Sequence, residues 1–446
     1  MVKRMNNQDL KTKKTYSCTA LHSSVYFAPN ELRHCCKRFF VNGKMKGDVQ
    51  IFPVKKNEDI SVDKILKEKK RLYDSINKGE ETPCSGCPFL TLDYWPKLKK
   101  LELKHLSIES HSVCNMKCTY CSDIYYGGLK ANYNIEKIFN KFKKSGVVSK
   151  HLDVAWGGGE PTLMENFDNI FKNFTENFKP KSNKIYSNAI KYSKTIEKYL
   201  KIGKASMTTS IDAGTEKIFK KVRGVKAFEK VLKNLKKYLT AAGKGIVIKY
   251  IFTEDNYQMH EINNFINKIK EHGLQKCDFQ ISSNFKDEKL DNEQTISAIK
   301  LYTALIQLGA NTCYFDDHLH PRLKNKIKEI FESGISDKDP IFSVVNNFQK
   351  NKDLNIVIWG SGDTARQMIK RSLFFENNNV RIHYFVDSDK SKHGKYIDDI
   401  EIRNPNEIKK SDHSIIIAST IFYRDIYDKL IQMGIGKERI MGSLFF

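Results

Sequence analysis

The chain of 446 residues has no uninterrupted apolar run of membrane-spanning length, and its first residues, MVKRMNNQDLKTKK, lack the apolar core of a secretory signal. Both absences predict a cytoplasmic protein with no membrane partner. Acidic residues are few against basic ones, 52 to 76, for a formal charge of +24. Arginine is scarcer still, at 12 of those 76. Lysines are spread along every candidate helix, so the charge reads as solvated faces and not as a focused phosphate-reading stripe. Nucleic acid is therefore not the expected partner, although the overall field attracts polyanions and acidic small molecules alike. Nor do the ten cysteines follow a disulfide framework; they cluster at metal-ligand spacings, which suits a reducing compartment. A hydrophobic content of 40% supplies cores for about two to four domains.

The densest cluster is CNMKCTYC, with Cys114, Cys118 and Cys121 at a C-x3-C-x2-C spacing. Three thiolates on one loop can hold three corners of a 4Fe–4S cube and leave the fourth iron open for a substrate or cofactor. A structural zinc knuckle is the alternative, with His105 or His111 as the fourth ligand. The triplet follows LKHLSIES, an alternating run that predicts a strand over His105 to Ser110. Downstream, HLDVAWGGGEPTL predicts a second strand ending in Gly157, Gly158, Gly159, Glu160 and Pro161.

In this order the two motifs resemble the radical S-adenosylmethionine (SAM) superfamily, which carries C-x3-C-x-aromatic-C after its first strand and Gly-Gly-Glu-Pro after its second. The resemblance implies a partial (β/α)6 barrel, a 4Fe–4S cluster on Cys114, Cys118 and Cys121, and SAM on the open iron. It implies that Tyr120 covers the adenine, that Gly158, Gly159 and Glu160 meet the methionine amino group, and that Ser187 and Asn188 form the polar pair after the third strand. ASMTTSIDAGTEKIFKKVRG is similar to the S-I-D-G…R-G stretch of members acting on peptides, sulfatases and sugars, which implies that Ser210 and Arg223 hold the SAM carboxylate. GIVIKYIFTEDN and CDFQISSNF supply a fifth and a sixth strand. Tyr250, Thr253 and Asn256 suit either the cleft or core packing and turn chemistry.

Upstream, Cys18, Cys35, Cys36, Cys84 and Cys87 surround a predicted helix over Val62 to Ile76. The pattern resembles part of the SPASM auxiliary-cluster module, although here it precedes the barrel and lacks the full cysteine set. That likeness implies a second 4Fe–4S cluster on Cys18, Cys35, Cys84 and Cys87, with Cys36 spare; Cys35 and Cys36 are not separable by sequence, and structural zinc remains open. Cys277 and Cys313 are isolated and expected to be buried.

Residues 291–350 read as a helical extension, with His318 and His320 as surface residues of a turn. NIVIWGSGDTARQMI then gives a strand, a Gly360-Ser361-Gly362-Asp363-Thr364-Ala365 turn and a helix. RIHYFVDSD ends with Asp387 and Asp389, placed to meet a ribose, and SIIIAST is a third buried strand. The unit is similar to small Rossmann-like domains of polysaccharide-tailoring enzymes, and the turn is read equally as a nucleotide site or as architecture. The expected organisation is α/β throughout: a SPASM-like module over 1–100, the radical SAM barrel over 101–290, the extension over 291–350 and a Rossmann-like domain over 351–446.

The resemblance implies an enzyme that cleaves SAM reductively to a 5′-deoxyadenosyl radical and takes a hydrogen atom from its substrate, with a flavodoxin- or ferredoxin-type reductant. A net oxidation or other tailoring of a sugar or nucleotide-sugar comes first, and maturation of a ribosomal peptide second. A reading of another class is a zinc-stabilised nucleic-acid-binding protein.

Overall fold

A computed structural model describes residues 13–122, 128–333, 353–362, 379–418 and 423–442, with 365, 366, 368, 369 and 375 between them. Asp363 and Thr364 of the glycine-rich turn lie outside the described residues. The chain falls into two compact units, one from Met1–Lys117 and Cys121–Thr208, the other from Cys118–Tyr120 and Thr209–Phe446. No helix among the described residues is long and apolar enough to cross a membrane.

The first unit begins with β1 (Thr15–Ser17), α1 (Thr19–Ser23), β2 (Ser24–Ala28), β3 (Glu31–Arg33), β4 (Arg38–Val41), β5 (Lys44–Gly47), β6 (Gln50–Pro53), α2 (Val62–Asn77) and β7 (Thr91–Asp93). Then come β8 (Leu103–Ile108), α3 (Ile135–Lys144), β9 (Val148–Trp156), α4 (Phe167–Phe178), β10 (Ser182–Tyr186), α5 (Lys194–Lys201) and β11 (Ser206–Ser210). Strands β8, β9 and β10 run parallel, with Ser107 opposite Ala155 and Lys184 opposite Ser206 of β11. Helix α4 presents Phe167, Phe171 and Phe174 at i, i+4 and i+7, and these rings surround Trp156 at 5.1–6.1 Å. The indole N–H donates to Asn183 Oδ1 at 2.7 Å, so this aromatic core leaves no buried donor unpaired at its centre.

One expectation about this unit is corrected. The first hundred residues are not a detached module: β2 pairs in parallel with β8, Val25 opposite Leu106, and β3 and β6 extend the same sheet outward. The cause is the apolar run SVYFA, whose Val25, Phe27 and Ala28 are fully buried and need a sheet neighbour on each side.

In the second unit α6 (Glu216–Arg223), α7 (Phe228–Ala242), β12 (Ile246–Phe252), α8 (Met259–Glu271), β13 (Asp278–Ser283), α9 (Asn292–Leu308), β14 (Thr312–Phe315) and α10 (Leu319–Glu332) continue the alternation. From β8 to β13 each strand is followed by a helix, the α/β pattern of a partial (β/α)6 barrel. The expected all-helical extension is corrected, because TCYF forms β14 and pairs in parallel with β13, Phe279 opposite Cys313. Cys277 and Cys313 are both buried, as read from the sequence. His318 and His320 are half-buried instead of exposed.

Asp316, just after β14, organises this region. Its carboxylate accepts from Lys249 Nζ at 3.1 Å, Gln280 Nε2 at 3.1 Å and the Ser282 hydroxyl. Burial pushes the carboxyl up, but the Lys249 charge and these donors outweigh it and bring it down to about 2. A folded value below the unfolded one stabilises above the unfolded pKa and is lost as pH falls through the folded value. The Asp316 contribution of about 2 kcal/mol is therefore present at neutral pH and disappears between about pH 4 and pH 2. In an acid titration followed by far-UV circular dichroism, Asp316→Asn is expected to flatten that part of the stability curve; an unchanged slope refutes the assignment.

The carboxyl-terminal sheet is built from β15 (Asp353–Trp359), β16 (Asn379–Val386), β17 (Tyr396–Ile397), β18 (Ile400–Arg403), β19 (Ser414–Ile417) and β20 (Ile440–Gly442), with α11 (Tyr423–Gln432) between the last two. Its order, β17-β18-β16-β15-β19-β20, is parallel except at β17. Val357, Trp359, Val386, Ile415 and Ile417 form the core. The expectation that Asp387 and Asp389 are placed for a ribose is corrected. Asp387 accepts from Ser361 N at 3.1 Å, the Ser361 hydroxyl and Lys392 Nζ at 2.9 Å, and Asp389 caps a short turn through Ser391 N.

Candidate active site

The site residues of the first unit form one bonded cluster. Gly157 N donates to Ile108 O, Gly159 N to His111 O and Glu160 N to Val113 O, all at 2.8–2.9 Å, which stitches the turn after β9 to the loop leading into Cys114. A Cβ on Gly159 would fall 2.2 Å from Val113 O, and one on Gly158 2.6 Å from His111 O. Glycine is required here by close backbone approach. Gly159→Ala is expected to push the cysteine loop away and to lower the iron retained after anaerobic reconstitution by more than half; wild-type iron content would contradict this.

Glu160 is fully buried, and its carboxylate accepts from Thr162 N, the Thr162 hydroxyl, the Ser187 hydroxyl and Asn188 N at 2.7–3.1 Å. Burial raises its pKa, against the pull of those donors. Glu160 thus ties the turn after β9 to the polar pair after β10, a role in positioning that the sequence did not disclose. Asn188 Nδ2 reaches Asn115 Oδ1 at 2.7 Å and Cys114 Sγ at 3.8 Å, and Met116 N donates to the same sulfur at 3.4 Å. Two N–H donors aimed at one sulfur suit a thiolate ligand, because hydrogen bonds to cluster sulfurs tune the metal.

His111, a candidate fourth zinc ligand, is buried, and burial lowers its pKa to about 4. Among the described residues neither ring nitrogen has a partner, and the residue lines a cavity of about 400 Å³ with Ser110, Tyr133 and Met164. His105 lies within β8, its ring 5.3 Å from Tyr26. Among the described residues no three His, Cys, Asp or Glu side chains converge as ligands of one metal ion. A cube differs in this respect, since it spreads its thiolates over separate corners.

The second unit holds Cys118, Tyr120, Ser210 and Arg223. Asp212, to which the sequence assigned no role, is their hub. Its carboxylate accepts from Tyr120 Oη at 2.6 Å, Arg223 Nη1 at 3.1 Å and Ile251 N at 2.7 Å. Burial pushes the carboxyl up, against the Ile251 hydrogen bond and the charge of Lys249. The Arg223 guanidinium lies 5.6 Å from the Tyr120 ring centroid, and the buried Nε–H has no acceptor among the described residues. Such an orphan donor beside a half-buried Ser210 fits a carboxylate ligand. Burial raises the Cys118 thiol, Arg223 lowers it and Asp212 raises it again. Tyr250 and Asn256 belong to the core: Tyr250 Oη donates to Asn256 O, and Asn256 Nδ2 donates to Asp212 O and Ile251 O.

The upstream cysteines form a separate set in the first unit. The Cys84 thiol is pushed up to about 12 by burial and then by Cys35, Cys87 and Cys18; Cys87 is raised by burial and by Cys18 and Cys35. These four thiols therefore lie within one another's electrostatic reach. Cys36 differs, interacting with Tyr26 and Glu109, which separates two neighbours the sequence could not rank. The Cys84–Cys87 turn closes through Cys87 N to Cys84 O at 3.0 Å. Gly86 takes φ +81° there, and a Cβ on it would meet Val41 at 2.7 Å. None of the ten cysteines is in a disulfide.

Parallel βα units, three thiols after the first strand and a glycine-glutamate turn after the second define a SAM-dependent iron–sulfur domain. Residues 108–266 match the family model of the radical SAM superfamily, and the chain carries a radical SAM domain. Domains of this family work with a 4Fe–4S cluster and SAM. Residues 352–441 match a model described as C2185-like, N-terminal. The chain is 21% identical over 212 residues to GTP 3′,8-cyclase of Vibrio parahaemolyticus, covering 46% of this chain and 62% of that protein. It is 24% identical over 205 residues to GTP 3′,8-cyclase of Clostridium botulinum, covering 44% and 64%. It thus spans less than two thirds of the curated relatives it matches. Similar solved structures include anSMEcpe with bound AdoMet (19% identity, TM-score 0.39, 52% of this chain and 67% of that one). SuiB from Streptococcus suis is a second (19%, TM-score 0.39, 63% and 60%).

Proposed function

We propose that the protein is a radical SAM enzyme of a reducing compartment, with Cys114, Cys118 and Cys121 holding the SAM-binding cluster. When bound, cluster and SAM supply one-electron cleavage of the sulfonium, releasing methionine and a 5′-deoxyadenosyl radical that abstracts hydrogen. The residues of this chain do the rest. Gly158 and Gly159 let the backbone come close to the methionine amino group. Arg223 Nε, backed by Asp212, and Ser210 take the carboxylate, and Tyr120, fixed through its hydroxyl, offers a ring to the adenine. Glu160, Ser187 and Asn188 hold the turns in place, and Met116 and Asn188 donate to the Cys114 sulfur. Buried walls exclude water that would quench a radical.

A second 4Fe–4S cluster on Cys18, Cys35, Cys84 and Cys87 accepts the electron left on the substrate, which makes the net reaction an oxidation. The substrate is a nucleotide or nucleotide-sugar: the matched sequence relatives are named for action on GTP, and a net positive charge favours acidic small molecules. The reductant is a flavodoxin- or ferredoxin-type protein.

The observation that carries this reading is the cysteine triplet inside a matched radical SAM domain, with an orphan guanidinium N–H beside Cys118. Anaerobic reconstitution with iron and sulfide, then dithionite and SAM, is expected to yield 5′-deoxyadenosine. Tight zinc binding without SAM turnover would overturn it.

A further inference from the structure

Lys69 is fully buried on α2, in the first unit. Its ammonium donates to Ser24 O at 2.7 Å, Leu21 O at 3.0 Å and Ala20 O at 3.4 Å, the carbonyls at the carboxyl end of α1. Cys18 is the cap of that helix, its sulfur accepting from Leu21 N at 3.4 Å. Among the described residues Lys69 has no carboxylate partner. Burial lowers its pKa to about 7, and the groups that act in the opposite sense are the thiols of Cys18 and Cys35.

A buried ammonium held only by neutral carbonyls is costly, and structures normally place a counter-ion beside it. The neighbouring titratable groups are no substitute. His22 and His34 are lowered by burial and then by Lys69 itself, so both rings are neutral beside it. The negative charge available is that of the thiols. Four thiolates on a 4Fe–4S cube carry a net negative charge that grows when the cluster takes an electron.

We infer that Lys69 is the fixed counter-charge of the auxiliary centre, held by the α1 carbonyls behind Cys18 and Cys35, and that it raises the reduction potential of that centre so that it accepts electrons. Lys69 touches no substrate; it is a positioning and tuning residue. The inference rests on the auxiliary cluster proposed above. Lysine suits the place because a compact ammonium can satisfy three carbonyls from the end of a flexible stem.

The test uses the full chain with Cys114, Cys118 and Cys121 changed to Ala, which leaves the auxiliary centre alone. Iron content, visible absorbance and a redox titration followed by electron paramagnetic resonance are read in this background, then after adding Lys69→Met or Lys69→Gln. Absence of 4Fe–4S absorbance in the background overturns the cluster reading itself. With the cluster present, Lys69→Met and Lys69→Gln are each expected to make reduction at least tenfold less favourable, a fall of about 59 mV for one electron. Loss of the cluster from a variant that keeps its circular dichroism also supports the inference, since the counter-charge is then needed for assembly. A potential equal to that of the background overturns it. So does unfolding of both variants under reconstitution, because the ammonium would then serve the main chain alone.

Discussion

Cys114→Ala is expected to yield no 5′-deoxyadenosine with dithionite and SAM, and to lower reconstituted iron from about eight atoms per chain to about four. The size of the effect follows from ligand number. A cube with an open iron has three protein ligands, and removing one leaves two on the loop. Cys114 is the informative position because its sulfur accepts from Met116 N and Asn188 Nδ2, which sets it apart from a passive surface thiol. The parallel change at Cys18 is expected to remove the other half of the iron while 5′-deoxyadenosine still forms. Cys36→Ala is expected to change neither quantity, since that thiol faces Tyr26 and Glu109. Iron and sulfide assays beside chromatographic quantitation of 5′-deoxyadenosine check all three. Wild-type turnover by Cys114→Ala would remove the basis of the proposed chemistry.

The second large effect concerns Asp212. Asp212→Asn keeps the side-chain shape, and asparagine tolerates the left-handed backbone at φ +59°, so the variant isolates the charge. Arg223, also buried, then loses its only printed ion-pair partner and faces a neutral amide. Removing one member of a buried pair costs about 3–5 kcal/mol, because the other charge stays desolvated. Urea unfolding of the anaerobic protein is expected to show that loss. The double variant Asp212→Asn/Arg223→Met is expected to lose less than the two singles added together. Additivity would show that the pair is not coupled. The same substitution is expected to weaken SAM binding, since the orientation of the guanidinium depends on Asp212.

Much of this was readable from residues alone, for a definite reason. The cysteine triplet and the Gly-Gly-Glu-Pro turn do their work within a few consecutive positions, so order and spacing carry the information. The strands around them were placed within a few residues, the first at Leu103–Ile108 against a reading of His105 to Ser110. What stayed hidden depends on contacts between distant positions. Asp212 reads as one more turn aspartate until Tyr120 and Ile251 are seen on its oxygens. Glu160 reads as a ligand until four donors are found on its carboxylate. Lys69 sits among many lysines of a polar helix, and nothing in its neighbours marks it as the one that is buried. Strand β14 was missed because TCYF is short and flanked by helices, which leaves periodicity little to act on.

The pairing of β2 with β8 has a consequence for how this protein is handled. A version trimmed to start at residue 101 would strip the partner from β8 and leave a row of bare amides and carbonyls along a buried, apolar edge. Such an edge recruits copies of itself, so the shortened chain would precipitate before its chemistry was ever assayed. The segment bearing Cys18, Cys35, Cys84 and Cys87 is for the same reason no removable cartridge; whatever those thiols hold is built into the wall of the SAM domain.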